Sequence, residues 1–343
     1  CARAARTHAP LRSLLMKPSP PRRALLARFG LAFALGLSPC RRNAPPGPEL
    51  VVGVSALRIS LPVFVAAVRG VFAQHGLRVR LRSYPTAQPM LDDLALGRLD
   101  AAGFAAWPIL LHAAARGTHP LHVGASVLED RTHRLSYVLA RRGSGVRFPR
   151  DAAGRRIGVL PTIAYRRWLP AILQAANIAT AGVTTVPVAP PLQAQSLAAG
   201  AVDLMFTNDP MATAMLQRGV AEIADDGPPC ATRLGDPFSF GAFAIGDGLV
   251  RRDRDRALRL SAALDDAVAR TLRDQSDARA AMRPHLRPDE RDALDHSPPT
   301  RFAPAREVSH ALSVEVSRSR ALGIFDGPVR VLPLDPSAAR PAP

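Results

Sequence analysis

From residue 50 onward the chain alternates short apolar runs with stretches of helical period, which predicts an α/β fold. The run 50–54 (LVVGV) reads as a buried strand. Residues 62–73 read as a helix, with Pro62 in a first-turn position and Gly76 just past its end. Residues 77–84 alternate as a strand, 90–96 form a helix ended by Gly97, 99–104 a strand, and 108–116 a helix ended by Gly117. Strands at 121–128 and 135–140 follow. The series then restarts. Strands at 156–160, 183–188, 202–207 and 221–224 are interleaved with helices at 165–176, 192–199 and 210–217, the last two ended by Gly200 and Gly219. Such alternation predicts mostly parallel sheets with helices on both faces.

The restart is visible as a repeat. Leu94-Ala95-Leu96-Gly97-Arg98-Leu99-Asp100 leads through a strand to Trp107-Pro108, and Leu197-Ala198-Ala199-Gly200-Ala201-Val202-Asp203 leads through a strand to Asp209-Pro210. Each time a helix ends on Gly at a left-handed position, Asp leads into a strand, and Pro opens the next helix. Beyond residue 236 the pattern changes. Residues 240–245 (FGAFAI) are strand-like. Residues 255–273 form an amphipathic helix with Leu260, Leu264, Val268 and Leu272 on one face, and helical segments broken by Pro284, Pro288 and Pro298-Pro299 run to about residue 320. Residues 334–343 read as a disordered tail.

Composition narrows the function classes. Hydrophobic residues are 47% and charged residues 21% of 343, the balance of a folded chain of about two domains. Only 3 Cys occur, Cys1, Cys40 and Cys230, with no C-x-x-C, so a Cys-based zinc site, an iron–sulfur cluster and a disulfide framework are poor readings. The formal charge of +17 raises nucleic acid as a partner, but its distribution argues against it. Residues 1–49 hold nine basic residues against one acid, while the rest holds 36 basic against 27 acidic, thinly spread. Lys17 is the single Lys, and no helix-turn-helix, zinc-finger or RNP-like pattern is present, so no nucleic acid is expected.

The basic residues of the N-terminal part suit an export address. From Met16, Lys17, Arg22 and Arg23 precede an uncharged run at 29–37, which has signal-peptide rather than membrane-spanning length. Leu37-Ser38-Pro39-Cys40 resembles a bacterial lipoprotein box, with Pro39 where that pattern has Gly or Ala. Cys40 is accordingly the candidate lipidation site, the other reading being a Cys after an ordinary secretion signal. Residues 41–48 read as a tether. The expected location is the periplasm or cell surface, with a lipid anchor to the membrane if Cys40 is acylated.

Residues 53–108, GVSALRISLPVFVAAVRGVFAQHGLRVRLRSYPTAQPMLDDLALGRLDAAGFAAWP, are similar to the opening of ABC-importer substrate-binding proteins of the nitrate/sulfonate/taurine and thiamine-pyrimidine group. Gly70-Val71-Phe72, Gly76-Leu77-Arg78-Val79 and 94–100 stand in the family's order, and Asp151-Ala152-Ala153-Gly154-Arg155-Arg156-Ile157-Gly158-Val159 resembles its second-lobe motif. The resemblance covers roughly residues 50–330. It implies a two-lobed type II periplasmic-binding-protein fold: upstream residues 1–49, lobe one at 50–138 and 241–333, lobe two at 139–240. Crossovers are placed near 137–142 and 238–245. It further implies a monomer that captures a small molecule by hinge closure and presents it to an importer's membrane subunits.

An open α/β sheet binds its ligand beyond the carboxyl ends of its strands, which selects the same loops without reference to any family. These are 55–61, 84–88 and 105–107 in lobe one, and 161–165 and 208–209 in lobe two. Helix N-termini converging there would welcome an anion. Arg58, in an otherwise apolar loop, could clamp a carboxylate, sulfonate or phosphate, or be a solvated surface arginine. Ser55, Ser60, Thr86, Gln88 and Thr162 could hydrogen-bond a ligand or serve as caps and turn residues. Tyr84, Trp107 and Tyr165 could line an apolar pocket or pack in the core, the role assigned to Trp168. Asn208 and Asp209 stand where the family shows Trp-Glu. Asp209 could meet an amine or ring N–H, orient Arg58, or cap a helix.

No H-E-x-x-H, G-x-S-x-G, phosphate-cradling Gly loop or Cys–His pairing is present, so no catalysis, cofactor or metal is expected. His112, His119, His122 and His133 cluster in sequence and read as surface residues. The competing classes are a biosynthetic enzyme of the same fold, of pyrimidine or menaquinone-precursor type, and a ligand-sensing ectodomain. The ligand is an oxyanion, a sulfonate or a small heteroaromatic.

Overall fold

The computed structural model describes residues 47–337. The export segment, Cys40 and the tail beyond residue 337 lie outside the described residues. The first lobe opens with β1 (Leu50–Ser55), α1 (Leu61–Val68), α2 (Val71–Gln74), β2 (Val79–Tyr84), α3 (Ala87–Ala95), β3 (Ala101–Ala106), α4 (Trp107–Arg116) and β4 (Leu121–Glu129). The second comprises β5 (Ser136–Arg141), β6 (Arg156–Val159), α5 (Ile163–Ala175), β7 (Thr184–Pro187), α6 (Gln193–Ala198), β8 (Leu204–Asn208), α7 (Met211–Gln217) and β9 (Ala221–Ile223). The chain returns through α8 (Pro229–Leu234), β10 (Phe238–Gly246), α9 (Asp247–Arg252), α10 (Arg254–Arg273), α11 (Gln275–Met282), α12 (Pro288–His296), β11 (Arg301–Ala303), α13 (Val308–Ala321) and β12 (Val331–Pro333).

Two sheets result, a seven-stranded one ordered β11-β4-β10-β3-β1-β2 with β12 beside β4, and a five-stranded one ordered β7-β6-β8-β5-β9. Both are mixed rather than mostly parallel. Parallel pairing holds for β2-β1-β3, β12-β4 and β7-β6-β8, whereas β10 and β5 run antiparallel to their neighbours. These are the strands by which the chain enters each sheet from the other lobe, so their direction is set by the crossing rather than by a helical return. Residues 137–142 and 238–245, expected as crossovers, thus lie mostly within sheet strands. The crossing segments are 130–135 and 224–237.

Local chemistry accounts for most boundaries. Gly70, at φ 69°, breaks the expected single helix into α1 and α2. Gly117 ends α4 in extended conformation, φ −81°, not left-handed. In α10, Asp253 accepts the Arg256 N–H at 3.0 Å and caps the helix. Leu260, Leu264 and Val268 are buried, but Leu272 is 45% exposed. A four-residue step overshoots the 3.6-residue turn, so the fourth position of that row rotates out of the core and Thr271 takes its place. Pro298-Pro299 interrupts the helical run, β11 follows antiparallel to β4, and α13 resumes it. The expected tail is anchored at its start: β12 pairs with β4, Leu334 is buried, and its carbonyl accepts from Ser261 Oγ at 2.7 Å.

One hydrophobic cluster runs from the first lobe into the inner face of the second. Its junction is aromatic. Trp168 of α5 packs edge-on against Phe238 of β10 at 5.4 Å between centroids and against Phe240 at 4.9 Å. A smaller cluster around Leu139, Leu197 and Met205 fills the far side of the second sheet.

Candidate functional site

Strands β1 and β3 end at Ser55 and Ala106, and β6 and β8 end at Val159 and Asn208, so the carboxyl edges of both sheets turn toward one cleft. A cavity of ≈ 30 Å³ lies there. That is room for about one or two waters. Leu57, Ile59, Pro85, Thr86, Ala87, Ala106, Ile109 and Phe240 line it from lobe one, and Leu160, Thr162, Tyr165, Pro190 and Asn208 from lobe two. No lining residue is charged.

Two helices of useful length begin at this cavity. Thr86 is the N-cap of α3 and Thr162 of α5, and neither side chain makes a capping hydrogen bond. The first-turn N–H groups of both helices are thus left to other partners, with the positive end of each dipole beside them. Thr162 Oγ1, Tyr165 OH and Asn208 Oδ1 are buried and without a hydrogen-bond partner among the described residues. Burial pushes the Tyr165 phenol well above its usual pKa, so it stays a neutral donor. Ser55 and Ser60 are fully buried behind the cavity wall, with equally unpartnered hydroxyls.

Arg58 does not face this cavity. Its side chain is 1% exposed and pairs with Asp209 Oδ2 at 3.0 Å across the lobes. It also donates to the carbonyls of Pro298 and Arg134, and to Thr300 Oγ1 at 3.3 Å. Asp209 is saturated in turn. Its Oδ1 accepts from Thr213 N at 3.0 Å and Thr213 Oγ1 at 2.7 Å, and its Oδ2 accepts from Tyr137 OH at 2.8 Å. Burial, then the Asp209 carboxylate, push the Tyr137 phenol well up. Asp209 therefore orients Arg58 and caps α7 at once. The neighbouring Leu57 and Ile59 line the cavity, while the 3₁₀ turn at 58–60, which rotates successive side chains by about 120°, carries Arg58 away from it.

Of the other expected site residues, Tyr84, Gln88 and Trp107 lie off the cavity. Tyr84 OH donates to Asp93 Oδ2 at 2.6 Å; burial and that bond raise its pKa to about 12. Gln88 Nε2 reaches Asp92 Oδ1 at 3.4 Å. Trp107 is fully buried, and its indole N–H donates to Ser239 Oγ at 2.7 Å. Its large ring is best placed in the first lobe's core. The four histidines do not share one place: His112 faces the Ile324 carbonyl, His133 faces Asp130, and His119 and His122 both face Asp247, with His122 buried rather than at the surface. Among the described residues, no group of three His, Cys, Asp or Glu is placed to hold a metal. No described helix is long and apolar enough to cross a membrane.

Sequence reasoning missed the pins of the crossings. Glu129, at the end of β4, is fully buried, and its Oε1 accepts from Leu135 N at 2.8 Å and from the N–H and hydroxyl of Ser136. Its Oε2 accepts from Ala231 N at 2.9 Å, so one carboxylate ties both crossing segments together. Burial raises its pKa against those hydrogen bonds. Arg134 of the first crossing pairs with buried Asp225 of the second, which also accepts from Val138 N at 2.7 Å. Phe240 of the cavity wall was legible as strand but not as site, because its facing depends on β10 joining β3.

Comparison with known proteins agrees with this architecture. The profile of the family described as NMT1/THI5 like matches residues 59–234. No curated protein matches the chain in sequence. Among solved structures, the chain is similar to the alkanesulfonate-binding protein SsuA from Xanthomonas axonopodis pv. citri bound to MOPS, at 20% identity and TM-score 0.66 over 84% of this chain and 97% of that one. It is similar to the periplasmic aliphatic sulphonate binding protein SsuA from Escherichia coli, at 17% identity and TM-score 0.63 over 80% and 94%. It is also similar to the desulfurization enzyme DSZB, at 16% identity and TM-score 0.58 over 82% and 94%. At these identities the likeness establishes the two-lobed periplasmic-binding-protein fold.

Proposed function

The chain belongs to the NMT1/THI5-like family, and we propose that it is a solute-binding protein that takes a small organic anion or heteroaromatic between its lobes. In this reading it is the extracytoplasmic subunit of an ABC importer, a monomer that catalyses nothing by itself and docks on the importer's membrane subunits. Export from residue 16 onward and acylation at Cys40 belong to the same proposal.

The observation that carries it is the cavity between the lobes, where two uncapped helix N-termini meet three buried polar atoms that make no well-aligned hydrogen bond among the described residues. A buried polar atom left unmatched costs about 1–3 kcal/mol, which ligand oxygens would recover at the Thr162 and Tyr165 hydroxyls and a ligand N–H or O–H at Asn208 Oδ1. Free N–H groups at helix starts suit an oxyanion, and Leu57, Ile59 and Phe240 suit a ring or short hydrocarbon. With room for about one or two waters, the cavity takes a ligand only when the lobes part, and they then close on it less fully than in the arrangement described above. Arg58 and Asp209 sit beside the first crossing, next to Arg134, where opening displaces atoms least.

A thermal-shift screen of the full chain against sulfonates, inorganic oxyanions and small heteroaromatics tests this. A ligand at 100 times its Kd should stabilise the protein by about 2.7 kcal/mol. Thr162→Val and Asn208→Leu should each abolish the shift. A shift that survives both substitutions would move the site elsewhere, and turnover of a ligand by the purified chain would favour an enzyme.

A further inference from the structure

We infer that the first lobe carries a second ligand site, remote from the cleft, that takes an organic ammonium: a protonated amine on a hydrocarbon or aryl body. A cavity of ≈ 290 Å³ opens between the end of α3, the turn after α4 and the start of α9. It lies at the other end of the first sheet from the cleft. Leu121, which begins β4, pairs with Gly246, which ends β10, and both line it.

Its walls are apolar, formed by Leu91, Leu94, Ala113 and Ala114. The one acid that lines it is Asp247, whose side chain is nine-tenths buried, at 10% exposure. Asp247 Oδ1 is held by His122 Nε2 at 3.0 Å, on a ring that is itself 7% exposed. Asp247 Oδ2 has no hydrogen-bond partner among the described residues. The basic groups nearest to it are His119 Nδ1 at 3.7 Å and Arg251 Nη1 at 3.9 Å, both on exposed side chains beyond hydrogen-bond reach.

The arrangement is a carboxylate with one oxygen fixed and the other without a hydrogen bond among the described residues, approached only by His119 and Arg251, at the end of a hydrocarbon-lined space. A carboxylate at the mouth of a hydrocarbon-lined space accepts best from a charged N–H donor, which outcompetes water there. An ammonium head satisfies Oδ2 while its body covers the leucine and alanine walls. A neutral body leaves the charge half-met, and an anion is repelled. His122 acts as the positioning residue, since it sets the carboxylate's rotation.

Isothermal titration of the full chain with phenethylammonium chloride, against the isosteric 2-phenylethanol, tests the inference. The ammonium should bind at least about fivefold more tightly than the alcohol, and Asp247→Asn should bring the two within about twofold. Arg251→Ala, an exposed change that spares the fold, should tighten the ammonium about two- to threefold by removing a competing cation. Equal binding of ammonium and alcohol, no binding at about 10 mM, or weaker binding to Arg251→Ala would each overturn the proposal. Should Asp247→Asn prove unfolded by circular dichroism, the Arg251→Ala result decides alone.

Discussion

In the first lobe Gly97 follows α3 at φ 68° and Asp100 leads into β3; in the second, Gly200 follows α6 at φ 70° and Asp203 leads into β8. Asp100 Oδ2 accepts the Val51 N–H at 2.7 Å, and Asp203 Oδ2 accepts the Arg156 N–H at 2.9 Å. Each aspartate returns its own N–H to the carbonyl of that same residue, at 2.9 and 2.8 Å. The reciprocal pair closes the amino end of one parallel strand pair in each lobe, and an arginine braces each carboxylate, Arg252 on Asp100 and Arg156 on Asp203. The copies part company one strand later. Lobe one places Trp107 there, sunk in its own core, and lobe two places Asp209, which reaches across to Arg58. The amino ends of the strands are duplicated scaffolding; the carboxyl ends, where the lobes face each other, are where the two copies differ in chemistry.

The largest test of that contrast is Asp209→Ala. Leaving Arg58 buried without its carboxylate should cost about 3–5 kcal/mol in urea unfolding. A loss below about 1 kcal/mol would show that the carbonyls around Arg58 suffice and that the lobes are not joined by charge. Next comes pH. Glu315 on α13, which returns to lobe one, is 1% exposed, and burial outweighs its contact with Arg318 to raise its pKa to about 7. An acid easier to protonate when folded favours the native state below its unfolded pKa. That contribution is lost as pH rises through about 7, for a total of about 3 kcal/mol. Glu315→Gln should therefore flatten the fall of Tm between about pH 5 and 8, and an unchanged profile would assign the decline to another group.

Smaller effects compare the duplicated parts directly. Asp100→Ala and Asp203→Ala each remove a charge-assisted acceptor and should cost about 1.5–3 kcal/mol. Asp100 should be the larger, being 14% exposed against 25%. Gly97→Ala and Gly200→Ala should cost about 1–2 kcal/mol each, because both sit at positive φ and a Cβ resists that conformation. Losses that differ greatly between the glycines would show that the two turns are alike in sequence only.

The repeat made much of this legible. Glycine, aspartate and proline act through their own backbone, so their consequences follow from local sequence. The cleft loops were legible for the related reason that parallel strands deliver them to one edge. Thr86, Thr162, Tyr165 and Asn208 were found this way and reach the cavity. Trp107 and Tyr84 followed the same rule and do not, since position on a loop does not set the direction of a side chain with a partner nearby. Asp209 capping a helix and orienting Arg58 were separate readings of one residue, and the structure shows both at once.

By itself the sequence determined the alternation of strands and helices, the duplicated turns, and the edge on which the lobes meet. These depend on residues within about ten positions of one another. Tertiary structure alone decided that β5 and β10 enter their sheets antiparallel, that Glu129 binds both crossings, that Phe240 walls the cavity, and that His122 holds Asp247 beside an apolar space. Each of those is a meeting of residues far apart in the chain, and their geometry exists only once both sheets have closed.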